Sequence, residues 1–276
     1  MKFIGLVLTI VAILLGFYFG GGDLKMLWQP VEIFVISGAG FGSFIFSNSS
    51  YIVKAFFTHF KLYFSSAHFN EKMYVEMLNL VQDMSRIQRQ DGLLAIIRDI
   101  ESPKPAIFQK YRTILKDYDN QQFLVDAFLT FAEAKKGDFM LSELKMKNRI
   151  KNYSMVTRKL SDALYRLGES MPAFGIIAAV LGIILAMGEI DQSATVIGQA
   201  ISAALVGTLL GVLFGYGLFI PMSMTVRNYA HDQEIFQKYI LQAVMMVYKE
   251  ARPMAIQDSL LRDIPHHIKN KISIGY

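Results

Sequence analysis

Charged residues are missing from four long stretches of this chain: Phe3–Gly22 (20 residues), Ile33–Val53 (21), Ser170–Gly188 (19) and Gln192–Val226 (35). A helix needs about 20 apolar residues to cross the hydrocarbon core of a bilayer. The pattern therefore predicts an all-α integral membrane protein with four transmembrane helices and a helical cytoplasmic insert. Residues 1–53 read as a first transmembrane hairpin, with helix one over about 3–22 and helix two over about 33–53. Residues 167–222 read as a second, with helix three over about 170–188 and helix four over about 197–222. The insert covers 54–166, and 223–276 form a cytoplasmic C-terminal tail. A secretory signal also begins with a Lys and an apolar run. Here Gly20-Gly21-Gly22-Asp23 follows, with another span within ten residues, so the first helix reads as retained.

Helix two carries Gly38, Gly40 and Gly42, which let its backbone approach a neighbour. It runs into an aromatic and basic segment, Tyr51 to Lys61, suited to the membrane–water boundary. In the insert, Met73, Met77, Leu80, Val81, Met84 and Ile87 recur at helical spacing until Asp91-Gly92 breaks the pattern. A short helix over Leu93–Ile100 ends before Ser102-Pro103, and Phe123, Leu124, Ala127, Phe128 and Phe131 mark the stripe of another. A last basic helix runs from about Phe139 toward Arg166 and on into helix three.

Composition fits this class. Of the 276 residues, 53% are hydrophobic and 18% charged, against about 25% charge in a soluble domain. With no Cys, disulfides and metal-thiolate sites are excluded. Of the 28 Lys and Arg, 19 lie between Lys54 and Arg166 and 7 after Met222. The connections 23–32 and 188–196 carry instead Asp23, Glu32, Glu189 and Asp191. The positive-inside rule places both termini and the insert in the cytoplasm. The net charge of +5 reflects membrane lipid nearby and needs no nucleic acid.

Helix three presents Gly175, Ala179, Gly182 and Ala186, and helix four presents Ala203, Gly207, Gly211 and Gly215. Such small-residue stripes allow close packing within the chain or against another protein's helix. Neither helix holds an ionisable side chain other than Tyr216, and their polar groups are Ser193, Thr195, Gln199, Ser202, Thr208, Tyr216 and Ser223. Ion routes through membranes usually carry an ionisable group, and Ser and Thr do not titrate. Either this chain moves no ions, or a partner supplies a carboxylate. His59, His68 and His231 are isolated and His266-His267 lacks a third ligand, so no metal site or other cofactor is expected. With no P-loop, nucleophile elbow or HExxH motif, there is no catalytic residue to name and the chain does not read as an enzyme.

Three segments carry a resemblance. They are Gly168–Gly182, containing Pro172-Ala173-Phe174-Gly175; Ala204–Gly211, containing Leu205-Val206-Gly207-Thr208; and Gln88–Gly92 followed by Arg98–Pro103. With four spans and the position of the insert, the chain resembles the flagellar-stator branch of the MotA/TolQ/ExbB proton channel family over nearly its whole length. The resemblance implies a multi-pass protein of the bacterial inner membrane that assembles as a pentamer around a MotB dimer, whose intramembrane Asp carries the ion. It implies torque on FliG of the rotor. Thr208 matches a hydroxyl position on the ion path. Ala179 stands where sodium-driven relatives have Thr, which favours protons. Pro172 and Pro221 match paired hinge prolines, although by position alone Pro172 could simply start a helix. Arg89 matches a rotor-facing Arg of the family, and Arg98, Asp99 and Glu101 are the nearby charges that could compensate for a missing acid. The chain departs from the family pattern at Ile97, an expected acidic position, and in the strongly basic run Lys145, Lys147, Arg149 and Lys151. A TolQ/ExbB-like or other specialised proton-driven transducer is the alternative, and a purely structural scaffold a third reading.

Overall fold

The computed structural model describes residues 2–59, 62–63, 69–102, 107, 110–111, 114, 118–134, 138–188, 191 and 193–270. Of the positions singled out above, Lys61, His68, Pro103 and Glu189 lie outside the described residues. Among the described residues there are helices and no strand. Four helical stretches are long and apolar enough to span a membrane: Lys2–Phe19, Leu24–Ser47, Phe139–Gly188 and Ala194–Tyr248. The chain divides into two compact units, Met1–Ser66 with Val156–Tyr229, and Ala67–Met155 with Ala230–Tyr276.

The first unit contains α1 (Lys2–Phe19), a short 3-10 turn (Leu24–Leu27), α2 (Pro30–Ser47) and α3 (Ser50–Thr58). No residue of α1 is buried within the chain. A helix apolar but for Lys2 and Thr9, with no buried face, is untenable in water and natural in lipid. Pro30 is the first residue of α2, where its missing N–H costs nothing. Glu32 therefore belongs to the first helical turn and not to the outer connection to which its charge assigned it. Helix two is also shorter than expected. Ser47 Oγ donates to the Ser43 carbonyl (2.8 Å) and Asn48 Nδ2 to that of Phe44 (2.8 Å). These side chains bond back onto carbonyls of the last turns of α2, and the chain turns extended at Asn48 and Ser49 before α3 begins. An aromatic group locks this corner: Phe56 lies 5.7 Å from Phe41 and 5.3 Å from Phe44, and Tyr63 Oη donates to the Phe56 carbonyl at 2.6 Å.

Helix α7 (Phe139–Gly188) is one uninterrupted helix of 50 residues, with Pro172 inside it rather than at its start. The simple helix-start reading of Pro172 is thereby corrected. After α8 (Ala194–Val212) comes a seven-residue π-helical segment, Leu213–Phe219, and then α9 (Ile220–Tyr248). Leu160, Leu164, Leu167 and Met171 of α7 pack with Ile36 and Phe44 of α2 and with Phe219, Met222 and Val226. The buried Ser161 hydroxyl donates to the Ser223 carbonyl at 2.9 Å.

The second unit contains α4 (Glu71–Asp91), α5 (Leu93–Ile100), α6 (Tyr118–Ala132), the N-terminal part of α7, the C-terminal part of α9, α10 (Pro253–Asp263) and α11 (His266–Lys269). The Met73, Met77, Leu80, Val81 and Met84 stripe is buried, as is the Phe123, Leu124, Ala127, Phe128 and Phe131 stripe. Gly92, at φ +80°, makes the break between α4 and α5, a backbone region closed to most side chains. Tyr74 and Tyr239 stack edge-on at 5.1 Å, and Phe236 lies 5.0 Å from Tyr74.

Candidate functional site: a glycine seam with a buried carboxylate

Helices α7 and α8 meet backbone against backbone. A methyl group placed on Gly175 would lie 2.9 Å from the Gly207 carbonyl oxygen, 3.0 Å from Gly211 Cα and 3.3 Å from Thr208 Cα. One on Gly211 would lie 2.8 Å from both Gly175 Cα and the Met171 carbonyl oxygen. One on Gly182 would lie 3.0 Å from Ala204 Cβ. Apolar lipid gives no drive for helices to associate, so the absence of side chains here is what permits dispersion contact along the seam. The seam brings Ala179 beside Gly207 and sets Thr208, half-buried, on its edge.

Glu32 completes this region, and sequence reasoning did not find it. The residue is only 7% exposed, with Oε2 3.2 Å from where a Gly207 methyl would sit, a point also 3.4 Å from Ala178 Cβ and 3.5 Å from Ala179 N. Three helices thus converge on one carboxylate. An acid just after Pro30 reads naturally as a helix N-terminal charge. The one available signal was that an unbroken apolar run follows it directly.

Lower on the seam the two prolines meet the same glycines. Pro172 has no N–H to offer the Gly168 carbonyl four residues back. That oxygen lies 2.5 Å from where a methyl on Gly215 would sit, and Pro172 Cδ lies 3.1 Å from the same point. Gly215 is in the π segment, where Ile220 N–H reaches back five residues to the Gly215 carbonyl. The wider turn accommodates Pro221, which as an α-helical residue would clash with the carbonyl of Gly217. A cavity of about 340 Å³ adjoins Pro221, lined among others by Lys2, Thr9, Tyr63, Tyr216 and Thr225. Of the glycines expected on helix two, Gly40 faces the Met171 side chain, while Gly38 and Gly42 face open space within the chain.

The cytoplasmic charges separate into different roles. Arg89 Nη2 donates to the Glu250 carbonyl at 3.1 Å, and Ser85 Oγ to that of Ala251 at 3.2 Å. Glu250, two residues past the end of α9, is in the left-handed region, φ 55°, with Ala251 N–H bonded to the Met246 carbonyl. That is the helix-ending loop normally given to Gly, and α4 clamps it from the side. Arg98 and Glu101 are exposed. Asp99 is half-buried and accepts from Ile107 N–H at 2.9 Å. Within the basic run, Lys147 pairs with Glu143 at 2.6 Å and Arg149 with Asp126, so part of its charge is balanced internally.

Two family models match the chain. Residues 3–92 match the Motility protein A N-terminal model, and residues 120–265, which contain the whole seam, match the MotA/TolQ/ExbB proton channel model. The chain belongs to the MotA/TolQ/ExbB proton channel family. Motility protein A of Escherichia coli K12 is 35% identical over 214 residues, 77% of this chain and 72% of that protein. The chemotaxis protein LafT of Vibrio parahaemolyticus is 30% identical over 223 residues, 80% of this chain and 78% of that protein. In fold, the chain matches the solved C. jejuni MotAB structure with a TM-score of 0.80 at 23% identity, over 99% of this chain and 98% of that one. The flagellar MotAB stator complex of Bacillus subtilis gives 0.76 at 22% identity, over 98% of each. This is a family of motor stators and proton channels, not of enzymes, and the chain is a multi-pass membrane protein.

Proposed function

We propose that this chain is the proton-conducting stator subunit of a flagellar motor. In this reading it lies in the inner membrane with both termini in the cytoplasm and works with a MotB-type dimer that brings an intramembrane Asp. The observation that carries the reading is the seam itself: an α7–α8 contact without charge, edged by Thr208 and Ala179, within a chain 35% identical to a Motility protein A. A hydroxyl at the edge of such a seam can hydrogen-bond a carboxylate brought alongside it. Ala179, having no oxygen, offers nothing to replace the hydration shell of sodium.

When the partner's Asp binds a proton, a buried charge disappears and its preferred contacts change. A membrane potential supplies about 2.3 kcal/mol per proton for each 100 mV. Energy of that size biases helices between neighbouring packings. Pro172 and Pro221 have no N–H to fix the backbone, and Gly215 lies in the wide turn between them, so this is the part that yields. The unburied face of α1 and the exposed apolar side chains of α7 leave room for further copies around a central dimer, a pentamer in this reading. Torque would pass to FliG through exposed Arg98 and Glu101. Arg89 takes part while also holding the α9–α10 turn.

Swimming is the test. In a motile strain deleted for its own stator genes, the chain and a MotB-type partner are expected to restore swimming together and neither alone. Co-purification of the two proteins without swimming, combined with rescue of an envelope-transport defect, would favour the TolQ/ExbB-like alternative.

A further inference from the structure

Glu32 is a charged-type side chain placed where a packed bundle has least use for one. It is 93% buried by the 7% exposure that remains, and among the described residues no hydrogen-bond donor or cation pairs with it. A side chain at the third position of a helix can fold back onto the N-terminal amides, but no such bond is made here. The carboxylate points instead at Gly207, where a side chain on α8 is lacking, and at Ala178 and Ala179 of α7. Ala178 is ten residues from the end of α7 at Gly188, about 15 Å along the axis. Although Glu32 opens its own helix, it is therefore well inside the bundle formed by its neighbours. On α7 and α8 no charged residue lies between Ser170 and Gly188 or between Ala194 and Val212. Ionisable groups at such depth are costly and mark ion routes.

We propose that Glu32 is a proton-relay carboxylate in the outer half of the route. It takes a proton from the outer water and passes it, along the Gly207–Thr208 edge, to the acidic group of the partner. One proton enters as one leaves, and Glu32 returns to its starting state in each cycle. This rests on the stator reading, in which a partner carries the main acid. Glu32 is then the step before that acid and does not replace it. Gly207 is required for more than helix packing, since its missing side chain leaves the carboxylate its place.

The test uses the complex of this chain with its MotB-like partner in vesicles, with proton flux measured under an imposed potential and normalised to co-purified complex. Wild-type flux establishes the proton-conducting part of the stator reading, and its absence would remove that reading before Glu32 is in question. Given wild-type flux, Glu32→Gln, which keeps the shape, is expected to lower flux about tenfold or more. Glu32→Asp is expected to retain flux but with its midpoint in outer pH displaced from that of the wild type. Flux in Glu32→Gln equal to the wild type would overturn the relay. So would a Glu32→Asp pH profile superimposable on the wild type, a readout that stands even if Glu32→Gln fails to assemble.

Discussion

Replacing Gly211 by Ala tests the seam at its tightest point. The new methyl would lie 2.8 Å from Gly175 Cα and 2.8 Å from the Met171 carbonyl oxygen, both of them backbone atoms. Ordinary contact needs roughly 3.5–4.0 Å, so α7 and α8 must separate by about 1 Å or the helix must distort. Overpacking of this kind typically costs about 1–3 kcal/mol. Because neither clashing atom belongs to a side chain that can swing away, the upper half of that range is expected. At about 1.4 kcal/mol per decade, the resulting loss of about 2–3 kcal/mol lowers the folded-to-unfolded ratio by a factor of about 30 to 140. Gly198→Ala on the same helix is the control, since it meets nothing within 4 Å in the chain. There the gain of a side chain favours helix by about 0.5–1 kcal/mol. The assay is thermal unfolding of the detergent-purified complex, with the two variants and the wild type measured side by side. Gly211→Ala is expected to melt well below the wild type and Gly198→Ala at or above it. Equal melting of the two alanine variants would refute the reasoning, because composition alone does not distinguish these glycines.

Four further outcomes are expected. Thr208→Val, which keeps shape and removes the hydroxyl, should reduce vesicle proton flux and motility without reducing membrane insertion; full flux would remove Thr208 from the route. Arg89→Ala deletes the bond to the Glu250 carbonyl and should lower stability by about 1 kcal/mol. It should also reduce swimming while leaving flux intact, and lost flux at normal stability would contradict that assignment. Pro221→Ala removes the reason for the wide turn, so hydrogen exchange at Leu213–Phe219 should slow as the segment returns toward α-helix. Asp83 gives a pH signature. Burial raises its carboxyl pKa, but bonds from Lys110 (2.6 Å) and Tyr111 (2.5 Å) outweigh this and hold it below the usual carboxylate range. A depressed folded value contributes stability above the unfolded pKa that is lost as pH falls through the folded one. Asp83→Asn should therefore flatten the acid limb of a thermal-stability profile, and an unchanged limb would argue against the contact.

The four spans and the helical insert were legible because they depend on local chemistry. Charge is excluded from hydrocarbon, and the stripes of α4 and α6 repeat at helical spacing whatever they pack against. Gly92 could be read as a break for the same reason. Glu32 could not be read correctly, since its burial depends on Gly207 and Ala178, which arrive from other helices. The glycines of α7 and α8 looked equivalent in sequence. Only the crossing geometry distinguishes Gly211 and Gly215, pressed against backbone, from Gly207, which makes room for a carboxylate. The π segment was hidden because Leu213–Phe219 lies inside one long uncharged run, where Gly215 reads as a helix-packing position. Its winding reflects Pro221 just beyond it and the Gly168 carbonyl opposite. Asp99 accepts a bond from Ile107 N–H, a contact that no spacing rule announces.

The chain forms the wall and the relay of a proton route in this proposal, while the main carrier acid comes from a second polypeptide. Proton flux into vesicles under an imposed potential tests this most directly, comparing this chain alone with the chain and its MotB-like partner together. Rapid flux from the pair and background leakage from the chain alone is the expected result. Equal flux from both would mean that Glu32 suffices as carrier, and the two-component account would be wrong.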